Sequence, residues 1–132
     1  MQLKITTDYA IRIVLYLAMN HRIVPSKEIA DNLCIPQNMV LKIGKCLNEK
    51  GLIDIMTGTK GGFELRKPAD KINLLDVIEI TEPTLKINRC LETDRYCSRN
   101  ATETCPVRKT YSKIQEIIEN SLRAVSIEDF LE

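Results

Sequence analysis

Between residues 6 and 65 the chain lays out three apolar helical stripes, each cut off by a proline or glycine, and then two short alternating segments with glycines at the turn. Few folds accept that order. In the first stripe Ala10, Val14 and Leu17 recur at i, i+4 and i+7 beside Ile11, Ile13 and Ala18, predicting a helix that runs to about Asn20 with Thr6–Thr7 as its cap. Pro25–Ser26 opens a second, short helix with Ile29, Ala30 and Leu33 inward, ending before Cys34. Ile35–Pro36 restarts the chain, and Val40, Ile43 and Leu47, with Met39 and Cys46 beside them, carry a third helix of about a dozen residues until Gly51 stops it. The run 52–56 alternates, and Gly61–Gly62 leads into Phe63–Glu64–Leu65, which predicts a hairpin. Two short helices joined by a tight turn, then a glycine-stopped helix and a glycine-tipped hairpin, are the order of a winged helix-turn-helix whose third helix enters the major groove of DNA.

Five residues of that third helix lie off its apolar stripe: Gln37, Asn38, Leu41, Lys42 and Lys45. Amides and lysines donate to base edges and phosphates, and Leu41 can touch a thymine methyl. Thr59 and Lys60 at the wing tip can reach a phosphate or the minor groove. The same residues also fit a plain solvated helix face, and helix-turn-helix packing serves protein–protein modules too, so the order of elements carries the DNA reading. Charge agrees with it in sign: residues 1–67 hold 10 Lys+Arg against 6 Asp+Glu, whereas residues 68–132 hold 9 against 12.

The second half changes character. Asn73 can cap a fourth short helix through Leu74, Leu75, Val77 and Ile78, with Asp76 in its first turn. Residues 82–106 then show neither periodicity, contain Pro83 and Pro106, and carry Cys90, Cys97 and Cys105. Beyond them Val107, Tyr111, Ile114, Ile118, Leu122 and Val125, widened by Ile117, mark one long helix, with a last turn from Ser126. With 132 residues, 44% hydrophobic and 28% charged, the chain fits a globular protein, mainly α with a small β-hairpin wing.

No window is apolar enough to span a bilayer, and the N-terminus lacks the apolar run of a secretion signal, which predicts a cytoplasmic protein without a membrane partner. Five cysteines there argue against a disulfide framework, since the compartment is reducing and the number odd. Cys46, on an apolar stripe, reads as a core thiol. The trio in the loop can wrap a soft metal, although its gaps of six and seven residues are not the C-x-x-C spacing of zinc or ferredoxin sites. Idle thiols or a redox disulfide are the alternatives. A four-coordinate site needs one more ligand, from Asp8, His21, Cys34, Asp94 or Glu103. No catalytic set emerges, because His21 is the only histidine and no Ser–His or paired-carboxylate arrangement is present. A small metal carrier or redox protein would have no use for a recognition helix and wing.

The start Met1–Gln2–Leu3 with Thr7–Asp8–Tyr9–Ala10–Ile11–Arg12, the wing Thr57–Gly58–Thr59–Lys60–Gly61–Gly62–Phe63–Glu64–Leu65, and the three-cysteine loop before a long helix resemble the Rrf-type regulators, the family of IscR, NsrR and RirA. The likeness covers nearly the whole chain. It implies a homodimeric, DNA-binding transcriptional repressor on a palindromic operator, with a winged domain at 1–81, a cluster-binding loop at 82–106 and a dimerisation helix and C-terminal turn at 107–132. It also implies a 2Fe-2S or 4Fe-4S iron-sulfur cluster on Cys90, Cys97 and Cys105, sensing nitric oxide, redox state or iron. IscR adds a histidine three residues after its last cysteine, where Arg108 stands here and cannot ligate iron. The nitric-oxide-sensitive members use instead an aspartate near the start of the first helix, from the other subunit, and Asp8 occupies the matching place. Leu41 replaces the acidic residue with which IscR tunes its choice of sites, and the loop spacings are longer than in familiar members. Some members keep the fold without a cluster, so control by thiol oxidation or a protein partner is the other outcome that the resemblance allows.

Overall fold

The computed structural model describes residues 1–131. Helix α1 (Ile5–Asn20) leads to α2 (Ser26–Leu33), α3 (Gln37–Glu49), the antiparallel strands β1 (Ile53–Met56) and β2 (Gly62–Leu65), α4 (Leu74–Thr81) and α5 (Pro106–Arg123). Short 3-10 turns stand at Ala69–Lys71, Arg89–Leu91 and Ile127–Phe130. No helix among the described residues is long and apolar enough to cross a membrane.

Helix α1 is the centre of the core: Ala10, Ile13, Val14, Leu17 and Ala18 are buried together with Val40, Ile43 and Leu47 of α3 and Val77 of α4. Its start corrects the sequence reading. Lys4 is the N-cap and has no side-chain cap bond, so Thr6–Thr7 lie inside the helix. Thr7 is fully buried, and its hydroxyl donates to Glu82 Oε1 at 2.8 Å and meets the Thr81 hydroxyl at 2.6 Å. Glu82 Oε1 also accepts the Lys4 N–H at 2.6 Å, so a carboxylate at the C-cap of α4 meets the N-cap N–H of α1.

The turn between α2 and α3 closes on Cys34 in the left-handed region, φ 55°, and Pro36 caps α3. Gly51, at φ 80°, stops α3 where a side chain would be strained. Strand pairing runs Ile53↔Leu65, Asp54↔Glu64, Ile55↔Phe63 and Met56↔Gly62. Val24 adds a third rung, exchanging two 2.8 Å backbone hydrogen bonds with Phe63. That close approach needs glycine at 62, since a Cβ there would lie 2.3 Å from the Val24 carbonyl oxygen. On the other side the Phe63 ring covers Gly44 of α3, where a Cβ would fall 2.3 Å from the ring's Cζ. The wing is therefore seated directly on α3 through a side chain that is 2% exposed. Gly44, rather than the half-buried Cys46, completes the inward face of α3, so Cys46 is less of a core thiol than its position on the stripe suggests.

Asn73 and Asp76 form the capping box of α4, with reciprocal bonds of 2.8 and 3.0 Å. Helix α5 follows the cysteine segment with Cys105 as N-cap and Pro106 in its first turn. After it the chain returns. Leu74 N–H bonds Val125 O, and Ile127 N–H bonds Ile72 O, each at 2.8 Å, while the Ile127 side chain is buried in the core of the winged module. Helix α5 itself buries only Gln115 and leaves Val107, Ile114 and Ile117 at 53%, 41% and 64% exposure.

Two substitutions test this packing. Gly44→Ala must displace the Phe63 ring and is expected to cost about 1–3 kcal/mol as overpacking, read as a lower urea midpoint at unchanged slope. Thr7→Val keeps the volume but strips Glu82 and Thr81 of a buried partner, for an expected loss of about 1–3 kcal/mol in the same measurement.

Candidate DNA interface and metal site

Burial of Val40, Ile43, Gly44 and Leu47 fixes the rotation of α3 and turns Gln37, Asn38, Leu41, Lys42 and Lys45 to solvent. Gln37 Nε2 donates to the Ser26 hydroxyl at 3.2 Å, tying the first turn of α3 to the start of α2. Lys27 on α2 is paired with Asp31 at 3.3 Å, whereas Lys42 and Lys45 have no acidic partner among the described residues. Their charge is thus free for phosphates. Leu41 is 51% exposed beside them, so its apolar side chain is accessible on the same face. Thr59 and Lys60 sit exposed at the wing tip, between Gly58 at φ 100° and Gly61.

The helix pair behind α3 is held by polar ties. Arg22 pairs with Glu28 at 2.6 Å and the Tyr16 hydroxyl donates to the same carboxylate at 2.7 Å. Hydrogen bonds from Arg22 first and Tyr16 second hold the Glu28 carboxyl below its ordinary range, so it is ionised wherever the protein works.

The cysteine segment is irregular but ordered by specific contacts. Cys90, Cys97 and Cys105, all partly buried and free, line one cavity of about 270 Å³ together with Tyr96, Val107 and Arg108. Each sulfur receives an N–H: Asn88 Nδ2 on Cys90 at 3.2 Å, Ala101 N on Cys97 at 3.5 Å, and Arg108 N on Cys105 at 3.5 Å. Cys97 is the most activated, its thiol lowered from the ordinary value by the backbone N–H of Ala101, then that of Arg99, with the Arg99 charge adding. Around the cavity Arg89 grips Asp94 with both nitrogens and lies 5.4 Å over the Tyr96 ring, and Arg95 pairs with Glu103 at 2.6 Å.

Three free thiols on one cavity, each offered an N–H, are a donor set that fits a thiophilic metal group. Among the described residues, however, no three His, Cys, Asp or Glu side chains converge closely enough for a single metal ion. Of the candidate fourth ligands, Asp94 and Glu103 are taken by arginines, the former with its acid pushed down to about 2 by Arg89. Cys34 belongs to the helix-turn-helix turn, and His21 lines a separate cavity with Arg66 and Lys67. Asp8 is half-exposed, pairs with Arg12 at 2.6 Å, and does not line the cysteine cavity of its own chain.

Sequence reasoning passed over the residues that give the cysteine segment its shape. Arg108 Nε donates to the Cys90 carbonyl at 3.1 Å, and Gln115 binds the backbone at Leu85 and Ile87. The signal for Gln115 was present: it falls four residues after Tyr111 and three before Ile118, a polar residue in register with an apolar stripe.

Comparison with known proteins agrees with this geometry. The Rrf2 family profile, described as an iron-dependent transcriptional regulator, matches residues 3–132. The HTH-type transcriptional regulator NsrR of Shouchella clausii is 35% identical over 107 residues, which are 80% of this chain and 67% of that protein. Among solved structures, CymR, the global cysteine regulator of B. subtilis, superposes with a TM-score of 0.80 at 21% identity, covering 98% of this chain and 95% of its own. The IscR of T. potens gives a TM-score of 0.77 at 20% identity, over 99% and 86% of the two chains. The winged-helix fold is shared with both, and the family match spans all the described elements: this chain belongs to the Rrf2 family of DNA-binding transcriptional regulators and is not an enzyme.

Proposed function

We propose that the chain is a cytoplasmic, homodimeric repressor whose grip on a palindromic operator is set by an iron-sulfur cluster, 4Fe-4S or 2Fe-2S, that responds to nitric oxide, redox state or iron. The single observation that carries this reading is that Cys90, Cys97 and Cys105, fifteen positions apart at their ends, line one cavity and each accept an N–H. A cluster spreads its ligands over several iron atoms, so thiolates that share a cavity without meeting at one point suit it better than a lone ion. When bound it supplies a centre that nitric oxide, oxidants or iron loss can attack.

The residues of the chain do the rest. Cys90, Cys97 and Cys105 would hold the group, and Asp8 of a second copy, at the place that the nitric-oxide-sensitive members use, would complete the site. A carboxylate is a harder and weaker donor to iron than a thiolate, which makes Asp8 the ligand lost first. Released, Asp8 has Arg12 as its ion-pair partner at 2.6 Å. The exposed stripe of Val107, Ile114 and Ile117 on α5 supplies an apolar face for the second copy. Two α3 helices on a palindrome must meet half-sites one helical turn apart, so small rotations between subunits change operator affinity greatly.

The second reading is a cluster-free regulator controlled by thiol oxidation or a protein partner, favoured by one observation: the partly buried Cys97 sulfur accepts the Ala101 N–H at 3.5 Å, which favours its thiolate. The two are separated by gel-shift titration of anaerobically purified protein on a duplex that it selects from a random pool. Nitric oxide is expected to weaken binding by at least about tenfold as the cluster colour fades. Unchanged affinity after the colour is gone rejects the switch. Lys42→Ala and Lys45→Ala are each expected to weaken binding to all sequences alike and to lower the salt slope by about 1, with iron content unchanged. Loss of iron in either variant would contradict the separation of interface from sensor.

A further inference from the structure

Gln115 is the one side chain of α5 that is buried, at 4% exposure, and it is polar. A buried amide is costly unless every group is bonded, and here both ends are: Oε1 accepts the Ile87 N–H at 2.8 Å and Nε2 donates to the Leu85 carbonyl at 3.0 Å. The side chain thereby pairs with extended backbone much as a neighbouring strand would. One turn further along α5, Glu119 pairs with Lys86 at 3.3 Å, and two turns back Arg108 holds the Cys90 carbonyl at 3.1 Å. Residues 85–90 are thus laid along a single face of the helix that Cys105 caps. Arg108 is charged and only part-buried, and the Lys86–Glu119 pair is part-exposed, so the desolvated tie in this seam is Gln115.

We infer that Gln115 is a positioning residue of the cysteine site: by fixing the register of residues 85–87 against α5 it sets where Cys90 stands relative to Cys105, and so the spacing of the thiolates. No contact with a metal is involved. The inference rests on the reading of the three cysteines as a metal site, and deepens it by adding a second layer that holds the donors. Removing a group bonded directly to a ligand typically costs roughly 10–100-fold in metal affinity, and Gln115, which acts through the backbone at 85 and 87, is expected at the lower end of that range.

The test uses Gln115→Met, which keeps length and apolar volume but bonds neither backbone group, and Gln115→Glu, which keeps an acceptor for Ile87 N–H and loses the donor to Leu85. The reduced, metal-free full-length chain is titrated anaerobically with Cd(II) alone, following sulfur-to-metal absorbance. Expected is thiolate binding of Cd(II) by the parent, with the ion drawing two or more of the three cysteines together, at least about tenfold weaker binding by Gln115→Met, and an intermediate value for Gln115→Glu. Far-UV circular dichroism and metal-free DNA affinity are expected to stay unchanged, which a merely structural loss would not allow. Should Gln115→Met fail to fold, Gln115→Glu carries the comparison. Equal Cd(II) affinity in parent and folded variant overturns the inference, and so does a parent that binds Cd(II) no better than its Cys90→Ser form. Iron and sulfide assay of the anaerobically isolated parent judges the cluster reading separately, because a colourless, iron-free parent would sink that reading while the Cd(II) comparison still decides on Gln115.

Discussion

The contact on which the presentation of α3 depends is the Phe63 ring lying on Gly44. Because no Cβ stands at 44, the ring can reach the helix backbone, and because no Cβ stands at 62, the strand carrying it can exchange both backbone hydrogen bonds of Phe63 with Val24. Wing, recognition helix and the segment leading into α2 are thereby locked to one another through a few buried atoms. Gln37, Asn38, Lys42 and Lys45 then face outward, and the two lysines are left with solvent or phosphate as partners. A basic helix face is common on proteins; a basic face whose angle to a wing is fixed by interlocking glycines and an aromatic ring is what duplex recognition needs.

The cysteine segment is held by different means. It contributes nothing to the apolar core, and its shape comes from hydrogen bonds and ion pairs: Arg89 with Asp94, Arg95 with Glu103, and the seam along α5 through Arg108, Gln115 and Glu119. A segment held in this way opens more readily than the core. Its two ends nevertheless join rigid parts. Glu82 at the near end caps α1 beside Asp8, and Cys105 at the far end caps α5, which after its own length is stitched to Ile72 and Leu74. A change in the spacing of the thiolates therefore bears at once on α5, with its exposed apolar stripe, and on the helix that carries Asp8.

Much of this was legible in the chain. The three stripes, the stops at Cys34 and Gly51, the glycine-tipped hairpin, the Asn73–Asp76 cap and the solvent face of α3 follow from local rules of periodicity and capping, and the structure places them where those rules put them. What was not legible depends on distant partners. Thr7 is chemically a good cap, but the helix starts earlier, at Lys4, whose N–H Glu82 accepts, and the Thr7 hydroxyl is buried against Glu82 and Thr81. Cys46 lies on the apolar stripe, yet the Phe63 ring takes the place beside it on Gly44. The cysteine spacing announced a site without showing its walls: Gln115 stands out as a polar residue on an apolar stripe, but the backbone groups that it and Arg108 bind carry no signature of their own.

The account stands or falls on whether the thiolates of residues 90–105 bind iron and thereby set how the winged module holds DNA. The most direct measurement is iron and acid-labile sulfide content, with duplex affinity, of protein isolated without oxygen, compared with the form in which Cys90, Cys97 and Cys105 are all serine. Coloured parent protein holding both elements, with loss of both and a changed affinity in the serine form, is the predicted result. Colourless, iron-free parent protein that holds its duplex as tightly as the serine form would contradict it.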